Sequence, residues 1–81
     1  MENEQVNFGI EEDMLGDIGI LRIEGQVKAE YGNLIRDKIM ELIEEKGAES
    51  IVINLSKVTF LNSFALTVFL EMYKMLQKQG G

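Results

Sequence analysis

Ser63 is the residue of this 81-residue chain whose type and setting point most directly to chemistry. It follows an apolar run, stands directly after Asn62, and precedes apolar residues that recur at helical spacing from Phe64 onward. Asparagine is among the best helix N-caps, because its side-chain oxygen accepts a hydrogen bond from an orphan amide of the first turn. The spacing therefore puts the Ser63 hydroxyl at the mouth of a helix, where unpaired amides and the helix dipole favour an added negative charge. Two readings stay open at this point: a serine that merely begins the helix, or one that accepts a phosphoryl group. A nucleophilic serine has no support, since the chain has no histidine, no evident base near Ser63 and no strained elbow motif.

Composition narrows the classes further. Hydrophobic residues make up 46% of the chain and charged residues 27%, the profile of an ordinary globular chain. Cysteine and histidine are both absent, which removes disulfides, zinc sites and thiol or imidazole catalysis. No glycine-rich phosphate loop is present, because Gly9, Gly16, Gly19 and Gly25 match no nucleotide fingerprint. The expectation is a protein that is not an enzyme and holds neither cofactor nor metal. A net charge of −6 argues against nucleic acid, whose binding is dominated by cationic contacts to phosphate. Met1 to Gln5 lacks the basic and apolar regions of a signal peptide, and the apolar stretch Phe64 to Leu76 is too short to span a bilayer. These features fit a single cytoplasmic domain over residues 1–81.

The elements that must position Ser63 read as follows. Val6, Phe8 and Ile10 alternate with polar positions as a half-buried strand. Asp13, Gly16 and Asp17 supply turn chemistry within Glu11 to Asp17, a connection longer than a two-residue turn. Ile18 to Glu24 reads as a second strand in a hairpin, with Leu21 and Ile23 on one face and Ile20, Arg22 and Glu24 on the other. The spacing predicts a first helix over roughly Asn33 to Lys46, with an apolar stripe of Leu34, Ile35, Ile39, Leu42 and Ile43. Gly47 stands where a C-terminal cap belongs. Met40 falls off the stripe. Glu41, Glu44 and Glu45 read as a solvated face, and Tyr31 and Tyr73 as packing or interface residues. Ile51 to Leu55 is a continuous apolar strand of the kind covered on both sides, followed by a polar break at Ser56-Lys57 and a second run, Val58 to Leu61. A second helix over Ser63 to Lys78 is apolar almost all round in its first two turns, with Thr67, Glu71, Lys74 and Lys78 as its polar stripe. Met72 and Met75 read as core. Such a helix is either deeply buried or touches something besides its own sheet.

The stretch VINLSKVTFLNSFAL resembles the signature of the STAS domain, the fold of bacterial anti-sigma factor antagonists. That signature runs from a hydrophobic strand through (Asp/Asn)-Leu-Ser and Val-x-Phe-(hydrophobic)-Asp-Ser-Ser/Thr-Gly-Leu into a helix. Asn54-Leu55-Ser56 and Val58-Thr59-Phe60-Leu61 match it, and the serine that the family phosphorylates falls on Ser63. Gly25-Gln26-Val27-Lys28 sits at the family's Gly-(Glu/Asp)-(Leu/Ile)-Asp, with lysine in place of the second acidic residue. Two further positions depart: the acidic residue before the serine is Asn62, and Phe64-Ala65 replaces the Ser/Thr-Gly pair. The Ser-Phe-small sequence resembles the scaffold subunits of the stressosome.

The resemblance implies an α/β fold with a mixed sheet in the order β-β-α-β-α, the strand after the first helix parallel to its neighbour and both helices on one sheet face. The family's later strand and helix are missing from this sequence, which leaves the Ile51 to Leu55 strand with an open edge and suggests a homo-oligomer or domain-swapped dimer. For function it implies a stress-response and transcription-regulation module whose partner is an anti-sigma factor, a serine kinase or a stressosome-type STAS protein. Ser63 would be the phosphorylation site, and Asn62, Ser63, Phe64, Leu66 and Thr67 the partner-binding residues. The departures at Asn62 and Phe64-Ala65 keep open a second reading, a scaffold or transporter-associated subunit without phosphorylation.

Overall fold

The computed structural model describes residues 8–78. Val6, the first residue of the expected opening strand, and the closing glycines at 80 and 81 lie outside the described residues. The elements run β1 (Phe8–Leu15), β2 (Ile18–Val27), a 3₁₀ turn (Ala29–Tyr31), α1 (Gly32–Glu44), β3 (Ser50–Leu61) and α2 (Ser63–Lys78). The sheet order is β1-β2-β3, with β1 antiparallel and β3 parallel to the central β2. This is the expected α/β order, with a mixed sheet and both helices drawing on one core.

Alternation along β2 decides which face the helices cover. Leu21, Ile23 and Val27 point inward and are fully or almost fully buried. Ile35, Ile39 and Leu42 of α1 and Ala65, Val68 and Met72 of α2 join them in one apolar cluster, with Met75 packed on its edge. Burying three or four such side chains per element stabilises by about 1.5–3 kcal/mol each, enough to override weak local propensity.

Three expectations change. The hairpin connection is only Gly16-Asp17, because β1 continues to Leu15, which pairs with Ile18. Gly16 takes the left-handed φ of +63° that a tight two-residue turn needs, so the acidic residues before it stay in the strand. The first helix is shifted to Gly32–Glu44, and Gly47, at φ +74°, turns the chain beyond it. Leu34 of the predicted stripe is exposed, since it points away from the sheet and from α2. Met40, off that stripe, is half-buried.

The third change concerns β3. Its Ile51 to Leu55 portion is not covered on both sides: Ile51, Ile53 and Leu55 are half-buried inward, while Val52 and Asn54 are exposed outward. The cause is position. β3 is the last strand of a sheet whose helices lie on one face, so continuous apolar sequence does not mean double burial here. The polar break at Ser56-Lys57 does not end the strand either. The register against β2 slips there and again near Thr59, each time with one extra residue on β3, so both irregularities are bulges. Asn54 Oδ1 holds the first of them, accepting from the Ser56 amide at 2.9 Å and the Ser56 hydroxyl at 2.7 Å.

One charged side chain faces inward. Glu12 pairs opposite Leu21, and its carboxylate meets Lys38 Nζ at 3.4 Å and Lys46 Nζ at 3.2 Å, which ties β1 to α1. Its side chain is 15% exposed. Burial pushes its pKa up, but the two ammonium groups outweigh this and hold the carboxyl below its ordinary value.

Candidate functional site

The end of β3 and the start of α2 meet at Asn62, and three hydrogen bonds fix it. Its amide donates to the Val27 carbonyl at 2.9 Å, continuing the pairing with β2 for one more residue. Its carbonyl accepts from Leu66 N at 3.1 Å, the first bond of the helix. Its side-chain Oδ1 accepts from Phe64 N at 2.7 Å, the N-cap expected of an asparagine in this position. The helix therefore starts where the sheet ends, without a flexible link between them.

Ser63, the first residue of α2, is exposed. Its carbonyl accepts from Thr67 Oγ1 at 3.0 Å, so Thr67 is turned back onto the helix. Among the described residues the Ser63 hydroxyl has no hydrogen-bond partner, whereas Asn62 already occupies the cap. The first turn holds no acidic side chain, so its amides and dipole are not offset by a carboxylate. Chemically, the site presents a free hydroxyl at the positive end of a sixteen-residue helix.

Apolar side chains surround it. Phe64 is 43% exposed and rests against Gly32, whose missing side chain leaves room for the ring. Leu66 is also exposed, while Ala65 between them is buried. The structure thus brings Asn62, Ser63, Phe64, Leu66 and Thr67 together on one helix turn, with Ser63, Leu66 and Thr67 on its open side and Phe64 lodged between α2 and α1. Gly32 was not singled out by the sequence, because its role depends on a contact 32 positions away in the chain. Tyr31, just before it, stacks on Phe8 with ring centroids 4.0 Å apart and planes 5° from parallel.

No group of residues suited to a metal ion occurs among the described residues, and no helix among them is long and apolar enough to cross a membrane. A groove on the uncovered sheet face, lined by residues including Arg22, Glu24, Asn54 and Lys57, has mixed charge and does not reach Ser63.

Comparison with known proteins adds two findings. The family model described as the STAS domain matches residues 10–81. The chain is also similar to a protein named Anti-sigma F factor antagonist from Paenibacillus polymyxa, at 29% identity over 76 residues. That match takes in 94% of this chain and 65% of the relative, so the chain spans just under two thirds of the relative's length.

Proposed function

Because the chain belongs to the STAS domain family, we propose that it is a regulatory, non-catalytic module that docks on an anti-sigma factor through the first turns of α2, with Ser63 as its switch. The observation that carries this reading is the exposed, unpartnered Ser63 hydroxyl set among Asn62, Phe64 and Leu66. The similarity to an anti-sigma F factor antagonist supports the class of partner.

The switch follows from electrostatics. A serine kinase transfers the terminal phosphoryl group of ATP to Ser63 Oγ, and the hydroxyl proton leaves. The product carries about −1.5 to −2 charge at neutral pH. The open amides and dipole of α2 tolerate that charge, so the fold persists. A partner surface resting on Phe64 and Leu66 does not, because docking would strip water from the phosphate without supplying a counter-charge. Phosphorylation therefore releases the partner and leaves the module folded, in the cytoplasm where such partners work.

Intact-mass and phosphopeptide analysis of the protein from its own cells, with and without stress, tests this. Phosphate on Ser63 whose occupancy changes with conditions is the expected result. A second reading is favoured by Asn62, which keeps the cap but lacks the family's acidic group: a scaffold or transporter-associated subunit that is never phosphorylated. Unchanged partner binding by Ser63→Asp, together with no phosphate under any condition, would select it.

A further inference from the structure

Leu66, Leu70 and Tyr73 of α2 are 46%, 53% and 59% exposed, far more than side chains of their size need be. With Gln77, which donates to the Tyr73 hydroxyl at 3.0 Å, they recur at the spacing of a helix–helix seam. At 100° per residue the four positions fall within about 60° of one another. The other contacts of α2 lie elsewhere around the helix. Ala65, Val68 and Met72 enter the core, while Phe64 and Glu71 reach α1, the latter through a 2.8 Å ion pair with Arg36. The seam faces away from α1, and among the described residues nothing covers it.

Charge decides what can approach this side. Residues 8–49 hold five basic side chains against eleven acidic ones, a balance of −6. Residues 50–78 hold Lys57, Lys74 and Lys78 against Glu71 alone, a balance of +2. Two copies of the chain would repel through their β1–α1 sides and not through their β3–α2 sides. Within that side the open edge of β3 is poorly suited to strand addition, because two bulges distort it and Lys57 stands at the first.

We propose that α2 is a self-association helix: two copies pack α2 against α2, antiparallel, about a two-fold axis near Leu70. Leu66 of each copy then meets Tyr73 of the other. The antiparallel sense follows from Lys74 and Lys78, which would stand beside their counterparts in a parallel pair and lie at opposite ends in an antiparallel one. Leu66 belongs both to this seam and to the proposed docking surface, so a bound partner and the dimer exclude one another. The dimer itself does not depend on the partner reading.

Analytical ultracentrifugation of the full chain at increasing concentration tests the proposal. The expected result is a dimer whose dissociation constant rises at least about tenfold with Leu70→Lys, which sets two charges against each other at the axis. Val52→Lys, on the uncovered face of β3, should leave the dimer intact. Circular dichroism checks that both variants are folded. Should Leu70→Lys fail to fold, Leu70→Cys decides the matter, because the chain has no other cysteine. It should form a disulfide-linked dimer under mild oxidation faster than Val52→Cys. A monomer at all concentrations, a dimer indifferent to Leu70→Lys, loss of the dimer with Val52→Lys, or equal crosslinking by both cysteine variants would overturn it.

Discussion

A side-chain carbon added to Gly32 would lie 2.5 and 2.7 Å from two ring carbons of Phe64, so the first turn of α1 is the seat on which that ring rests. The same carbon would lie 3.5 Å from Val68, an ordinary contact. The ring alone is in conflict. Gly32 has helical backbone angles, φ −59° and ψ −43°, so nothing in its conformation requires glycine. The requirement is space.

Gly32→Ala therefore sets two effects against each other. Alanine gains about 1 kcal/mol of helix propensity, while displacing a packed ring costs about 1–3 kcal/mol. The expected net result is a loss of about 1 kcal/mol in urea unfolding. In a Phe64→Ala background the same substitution should stabilise, and a loss of equal size in both backgrounds would disprove the seat.

Asn62→Ala removes the acceptor for Phe64 N and should cost about 1 kcal/mol. Asn62→Asp keeps the acceptor and adds charge at the positive end of α2, a gain of about 0.3–1 kcal/mol that shrinks in high salt. Thermal unfolding at two ionic strengths separates the two contributions.

Glu12 gives the fold an acid-sensitive clamp. Its carboxyl is held below the ordinary value of about 4.3, so the clamp contributes fully above that pH and is lost as pH falls through the lower folded-state value. Glu12→Gln should destabilise by about 2 kcal/mol at neutral pH, the scale of a lost charged hydrogen bond. The gap between wild type and variant should narrow steadily below about pH 4. A gap that stays constant down to pH 2 would show that the clamp is not electrostatic.

Element order, the inward set on β2 and the cap at Asn62 were legible because each rests on local spacing. Leu21 and Ile23 alternate with polar neighbours, and an Asn-Ser pair before helical spacing has few other uses. What escaped depends on distant residues. Acidic Glu11 to Asp13 read as turn because nothing nearby shows that Lys38 and Lys46 answer Glu12 from α1. The apolar run at Ile51 to Leu55 read as doubly covered because composition does not reveal that its strand lies at an edge. At the candidate site, the grouping of Ser63, Leu66 and Thr67 follows from one helix turn, whereas the seating of Phe64 on Gly32 could be found only in three dimensions.

The two bulges of β3 make its length a matter of odd and even. Ile51, Ile53 and Leu55 face inward on odd numbers, Val58 on an even one after the first extra residue, and Leu61 on an odd one again after the second. Deleting one residue between Ser56 and Thr59 would leave a single frame shift, turning whatever follows it toward the opposite side of the sheet. The helix bearing Ser63 would then emerge over the uncovered face, away from α1 and its core. Deleting both extra residues restores the phase. Evolution can thus lengthen or trim this strand in pairs, but a single step severs the hydroxyl from the surface built around it.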